Sequence, residues 1–154
     1  MTSPVLRIAL IHPDIPQNTG NIGRLCVGLD AELHLVHPMG FALDDKKIRR
    51  AGLDYWQHLK LIEHPSLEAF LTAARHERKF FFTTKAKRLY TEVAYHRGDF
   101  LIFGSESKGL PMELLEAHAD FTLKIPIFGP VRSLNVSNSA AVVAYEVVRQ
   151  VAWT

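Results

Sequence analysis

The stretch Leu101-Ile-Phe-Gly-Ser-Glu-Ser-Lys-Gly-Leu-Pro111 decides the fold. An apolar run, Phe100–Phe103, gives way to glycine and small polar residues, and Pro111 then stands at the first turn of a helix predicted to reach Ala117. Short apolar runs without polar alternation belong to strands covered on both faces, as in the middle of a parallel sheet. Working outward, Leu6–Ile11, Glu32–Val36, Lys60–Glu63, Lys79–Thr83 and Phe121–Ile127 read as further strands. Helices are predicted over Asn18–Leu29, Asp44–Arg50, from a Ser66 cap to about Arg75, and over roughly Ser137–Trp153. Strands and helices alternate, which predicts an α/β domain around a mainly parallel sheet with helices on both faces. The 154 residues are expected to form a single domain, 1–154, with one sizeable core.

Composition narrows the class. Charged residues at 22% and hydrophobic ones at 47% describe an ordinary globular chain, and a net charge of +2 permits an anionic partner without requiring one. A single cysteine, Cys26, excludes an internal disulfide and fits a reducing, cytoplasmic setting. Val5–Ile11 is too short to span a bilayer and lacks a basic flank, so it reads as a strand, and no membrane partner is expected.

Three familiar ligand motifs fail. Gly104 and Gly109 have P-loop spacing, but Leu110-Pro111 follows instead of Lys-Ser/Thr, so a triphosphate would find neither its lysine nor its magnesium-binding hydroxyl. Gly20 and Gly23 do not make G-x-G-x-x-G, and the second strand ends at His37-Pro38 with no acid to hold a ribose. The eight histidines form no H-x-x-x-H pair and have no cysteine partner, so no metal is expected.

Three clusters at strand ends carry the remaining chemistry. Asn18-Thr-Gly-Asn-Ile-Gly-Arg24 suits a turn and helix start, where free N–H groups attract anions. Arg24 lies about one and two-thirds turns beyond Asn18. In Gly104-Ser-Glu-Ser-Lys-Gly109, Glu106 can accept hydrogen bonds from a ligand or from backbone N–H groups; a polar turn with a helix cap explains the cluster equally well. In Arg132-Ser-Leu-Asn-Val-Ser-Asn138, alternation would turn Leu134 and Val136 one way and Ser133, Asn135 and Ser137 the other. Ser137 or Asn138 would cap the last helix, which leaves Ser133 and Asn135 for another purpose.

In order and spacing these clusters resemble the three motifs of the SPOUT methyltransferases, the knotted α/β family that uses S-adenosyl-L-methionine. The resemblance covers nearly the whole chain. Pro16-Gln-Asn-Thr-Gly-Asn-Ile-Gly-Arg24, Pro38-Met-Gly-Phe41 and Arg49-Arg-Ala-Gly-Leu-Asp-Tyr55 are similar to the small tRNA 2′-O-methyltransferases of that family, which act on wobble nucleotide 34 of leucine tRNAs. The resemblance implies catalytic roles for Asn18, Arg24, Glu106, Ser133 and Asn135. It implies that Phe82, Gly104, Ile125, Ser133 and Leu134 line the cofactor pocket. It also implies a deep trefoil knot made by the chain from about Phe100 onward, and a homodimer with active sites at the subunit interface. Two positions depart from the family pattern. Ser105 replaces a proline, which predicts a looser loop, and Ser139 stands where alanine is more usual. Neither removes a reactive group.

The implied reaction is attack by a ribose 2′-hydroxyl on a sulfonium methyl. The resemblance assigns Arg24 a base-like duty, but arginine stays protonated in proteins, so the expected role is to hold an RNA phosphate or the 2′-oxygen. Lys46-Lys47-Ile-Arg49-Arg50 and Lys85-Ala-Lys87-Arg88 are candidate phosphate contacts or simply solvated faces. Tyr55 and Trp56 are candidates for stacking on an anticodon base, or for the core. After Asn138 the last helix is polar mainly at Ser139, Glu146, Arg149 and Gln150, so it should be buried over most of its surface, with Tyr145 a candidate dimer contact. The rival expectations are a 2′-O-methyltransferase for another RNA, a base-nitrogen methyltransferase, and a non-catalytic tRNA-binding dimer.

Overall fold

The apolar runs become one seven-stranded sheet, all parallel, in the computed structural model, which describes residues 3–44, 46, 48 and 55–153. The strands are β1 (Arg7–Ile11), β2 (Glu32–Val36), β3 (Lys60–His64), β4 (Lys79–Phe82), β5 (Arg88–Leu89), β6 (Phe100–Phe103) and β7 (Thr122–Lys124), in the order β3-β2-β1-β6-β4-β7-β5. Chain order reverses direction across the sheet at β1 and β6, where Ile8 lies opposite Leu101. In open α/β sheets such a reversal opens a crevice beyond the carboxyl ends of the strands.

Alternate residues of each strand feed two cores. Ile8, Leu10, Leu33, Leu35, Leu101 and Phe103 pack with helices α1 (Pro16–Leu29) and α4 (Val136–Val151), through Ile22, Cys26, Ala140, Val143, Ala144 and Val147. Ala9, Ile11, Val36, Phe81, Phe100 and Ile102 pack with α2 (Leu67–Ala73) and α3 (Met112–Ala117), through Phe70, Leu114 and Leu115. Burial drives the Cys26 thiol pKa up to about 12, so it acts as a small apolar group of the first core.

Helix boundaries follow local chemistry. Pro16 opens α1 two residues earlier than expected, because its missing N–H costs nothing in the first turn. Ser66 does cap α2, its Oγ accepting from the Ala69 N–H at 3.0 Å. Pro111 precedes α3 rather than entering it. The last strand stops at Lys124 instead of Ile127, because Pro126 cannot donate to the ladder. The two-residue β5 escaped the sequence reading because it is too short to show a period. Of the expected basic helix Asp44–Arg50, residues 45, 47, 49 and 50 lie outside the described residues.

Candidate active site

Four loops meet beyond the carboxyl ends of β1, β4, β6 and β7 and surround a cavity of about 670 Å³. Its wall is folded tightly after β6. Ser105 and Gly109 form an antiparallel bridge, the Gly109 N–H donates to the Ser105 carbonyl at 2.8 Å, and the Lys108 N–H donates to Ser105 Oγ at 3.1 Å. The serine thus holds with its hydroxyl a loop that the sequence alone predicted to be loosened. Gly104 is obligatory here, because a Cβ would stand 2.1 Å from the Gly109 carbonyl carbon and 2.3 Å from the Leu110 nitrogen.

Glu106 binds this loop to the one after β1. Its Oε1 accepts from the Asp14 N–H at 3.0 Å, and its Oε2 accepts from the Ile15 N–H and from Asn18 Nδ2, each at 3.1 Å. Both carboxylate oxygens are therefore engaged by protein donors, which makes Glu106 an organiser of the site. The Ser107 hydroxyl hydrogen-bonds the Asp14 carboxylate beside it and lowers the Asp14 pKa below its ordinary value.

Asn18 carries the connection to the third cluster. Its Oδ1 accepts from Asn135 Nδ2 at 3.1 Å. The Oδ1 of Asn135 in turn accepts from the N–H groups of Ser137 at 2.8 Å and Asn138 at 3.2 Å. The cap of α4 is therefore Asn135, not Ser137 or Asn138, and capping does account for this asparagine. The expected alternation of side chains across 133–137 also fails. Ser133, Leu134, Asn135 and Val136 all line the cavity, because the segment turns into a helix instead of continuing as a strand.

The cavity wall includes Asn18, Phe82, Gly104, Glu106, Ile125, Ser133, Leu134 and Asn135, bringing together nine of the ten assignments made from sequence, Ser133 having been assigned twice. Arg24 is the exception. It is exposed on α1, its Cζ 5.2 Å from the centre of the Tyr55 ring, and it does not reach the cavity within the single chain. Tyr55 and Trp56 are half-buried, and Trp56 packs on α1, where a Cβ at Gly23 would come within 3.2 Å of its ring. Sequence reasoning missed Thr83, Thr84, Ser107, Lys108 and Arg132 in the wall, and Asp14 behind it. Their position at strand ends was the available signal; a pairing across 93 residues left none.

Parallel order, the crevice beyond β1 and β6, and three clusters joined by one hydrogen-bond network define a ligand-binding enzyme of the α/β class. The chain belongs to the SpoU methylase family: the profile described as "SpoU rRNA Methylase family" matches residues 5–145. The tRNA (cytidine(34)-2′-O)-methyltransferase of Escherichia coli K12 is 45% identical over 150 residues, covering 97% of this chain and 96% of its own. A structure described as giving insight into 2′-OH methylation of C/U34 on tRNA superposes with a TM-score of 0.90 at 47% identity, covering 94% of this chain and 95% of that one. The SpoU methyltransferase AviRb of Streptomyces viridochromogenes, in complex with AdoMet, has a TM-score of 0.81 at 25% identity, covering 97% of this chain and 62% of its own.

The cavity suits a nucleoside cofactor. Its volume falls in the range of about 300–1,000 Å³ usual for small-molecule sites. Phe82 and Phe103, their rings stacked 4.9 Å apart, join Leu110, Leu115 and Leu134 as an apolar surface for a base. The close approach of backbone at Gly104 leaves peptide groups, not side chains, at the wall.

Proposed function

We propose that this protein methylates the ribose 2′-hydroxyl of wobble nucleotide 34, cytidine or 5-carboxymethylaminomethyluridine, in leucine tRNAs, with S-adenosyl-L-methionine as donor. The observation that carries the reading is the Glu106–Asn18–Asn135 network, which joins all three clusters around one cofactor-sized cavity. Similarity to the C/U34 enzyme over nearly the full chain supports the substrate.

S-adenosyl-L-methionine would supply an electrophilic methyl carried on a sulfonium. Phe82, Gly104, Ile125, Ser133 and Leu134 would hold it through the apolar wall and backbone groups. Asn18 and Asn135, each fixed through both ends of its amide, would keep the loops rigid against the incoming ribose. Positioning of this kind can lower a barrier by about 7–11 kcal/mol in well-oriented cases. Ser133 presents a hydroxyl at the cavity wall, where it could hydrogen-bond the reacting 2′-oxygen.

Arg24 enters this scheme through a second copy. Val142 and Tyr145 on α4 are 41% and 48% exposed, and α4 packs beside α1, which carries Arg24. A homodimer across this layer would cover the apolar residues and bring one subunit's Arg24 toward the other's cavity. There its guanidinium would hold the RNA phosphate or the 2′-oxygen. The proposal further includes a trefoil knot in the chain from about Phe100 onward, supported by insertion of β6 between β1 and β4, and a cytoplasmic site of action.

The test uses the purified protein, labelled S-adenosyl-L-methionine and total tRNA from a strain lacking this methylation, followed by mapping of the label. Label on the ribose of nucleotide 34 in leucine tRNAs is expected. Label on a base atom, or none from folded protein, overturns the reading.

A further inference from the structure

The most exposed large apolar side chain of the described residues is Phe128, at 95%. It lies in the segment joining β7 to α4, between Ile127 and Arg132, both of which line the cavity. The segment turns there, with the Val131 N–H donating to the Gly129 carbonyl at 3.0 Å. Val131 and Leu134 on the same segment are 57% and 39% exposed. A phenyl ring held almost wholly in water beside a site contributes nothing to the core, and singles itself out as a contact surface.

The charges around it indicate the occupant. Lys85, Lys108 and Arg132 all line the cavity, and none makes an ion pair among the described residues. The one acidic residue in the described wall is Glu106, whose two oxygens are taken by Asp14, Ile15 and Asn18. The cavity wall thus carries three cations without an ion-pair partner among the described residues, and the segment that bears the exposed Phe128 adjoins it. That pairing fits single-stranded nucleic acid, whose phosphates meet the cations while a base stacks on the ring. An apolar protein partner would not require three uncompensated cations.

We propose that Phe128 is the stacking platform for an unpaired base of the anticodon loop, with Lys85, Lys108 and Arg132 holding the adjoining phosphates. This rests on the RNA-methylating function proposed above and adds the residues that grip the RNA at that site. Stacking is indifferent to base identity, so Phe128 would anchor the loop without selecting its sequence.

The experiment measures methylation kinetics and binding of an unmodified leucine tRNA transcript for the wild type, Phe128→Ala, Phe128→Trp and Lys85→Ala. S-adenosyl-L-methionine affinity is measured by calorimetry and subunit state by sedimentation. Phe128→Ala should weaken tRNA binding and raise the tRNA KM by about ten- to a hundredfold, with cofactor affinity and subunit state as in the wild type. Phe128→Trp should restore the affinity, which a merely structural role would not predict. Lys85→Ala should reduce the slope of log K against log salt by about 1, while Phe128→Ala leaves that slope in place. Unchanged tRNA affinity in Phe128→Ala overturns the proposal, as does a change in cofactor affinity or subunit state that accounts for the loss. If the wild type methylates the ribose of another RNA, only the substrate reading falls, and the same comparison on that RNA decides the role of Phe128.

Discussion

Two polar networks sit at different places on this sheet, one beyond its carboxyl edge and one on a face, and they differ in what they leave open. Beyond the carboxyl ends of the strands, Glu106, Asn18 and Asn135 join three loops and frame about 670 Å³ of accessible space. On the α2 face, Arg7, Glu32, His34 and His64 form a chain beside a cavity of about 140 Å³. Glu32 Oε1 accepts from Arg7 Nε at 3.1 Å and meets His34 Nε2 at 3.0 Å, while His34 Nδ1 and His64 Nε2 are 2.9 Å apart. The histidines pack edge-on against Phe70, and His34 against Phe100 as well. Titratable groups alone would make the second network the better candidate for catalysis. Space and free cations favour the first. A polar network marks a reactive site when it frames room for a ligand, and otherwise it satisfies its own members.

The sharpest way to break the contrast is Gly104→Ala. The added methyl meets backbone, which cannot rotate aside, so the wall itself must shift. Overpacking typically costs about 1–3 kcal/mol, and here the displaced atoms belong to the wall of the cavity proposed to hold the cofactor. We expect at least a hundredfold loss of methylation and of S-adenosyl-L-methionine affinity by calorimetry, with a far-UV spectrum like that of the wild type. Wild-type affinity in this variant would detach the cofactor from the loop after β6.

Glu106→Ala comes next. It strips acceptors from the Asp14 and Ile15 N–H groups and from Asn18 Nδ2. Unpaired donors at a partly buried site should cost about 1–3 kcal/mol of stability. Loss of the Asn18 anchor should lower methylation more than tenfold. Glu106→Gln retains one acceptor oxygen and should fall between. Equal loss in both variants would mean that the carboxylate charge, and not its hydrogen bonds, matters.

How far the sequence foretold this arrangement depends on distance along the chain. Apolar runs such as Phe100–Phe103 and Glu32–Val36 match the observed strands to the residue, because burial on two faces leaves a continuous local signal. Ser66 is legible as a cap because its acceptor serves an N–H three residues on. Asn135 was misread because Ser137 and Asn138 offer the same chemistry, and only the backbone decides among them. Asp14 with Ser107, and Asn18 with Asn135, are 93 and 117 residues apart, and no period or composition announces such pairs. Family resemblance, not local pattern, brought Asn18 and Asn135 into one site. It could not place Arg24 in the cavity, which that residue does not reach within the single chain.

Ser107→Ala tests the rim of the first network. The hydroxyl bond keeps the Asp14 pKa below its ordinary 3.8, so its contribution is fully present above that value and is lost as pH falls through the folded one. The variant should lose about 1 kcal/mol at pH 7, equivalent to roughly 2–4 °C in Tm. Thermal melts should show the two proteins converging below about pH 3.8. Methylation should drop only a few-fold, because Glu106 still holds the two loops.

His34→Gln probes the second network and should have the smallest effect on activity. Burial lowers the pKa of both rings below 6.5, outweighing the pull of Glu32 on His34. The unfolded chain therefore takes up protons first as the solution is acidified. Stability is full above about pH 6.5 and falls as pH drops through the folded values. Protonation of His34 would also place an N–H at Nδ1, against the ring nitrogen of His64, with Arg7 already beside Glu32. Replacing His34 removes one of the two protons, so the decline in Tm between pH 7.5 and pH 5.5 should become shallower by a few degrees. Methylation at pH 7.5 should match the wild type, because none of the residues of this network lines the cavity. A large loss of methylation with an unchanged Tm profile would join the two networks functionally and erase the distinction between them.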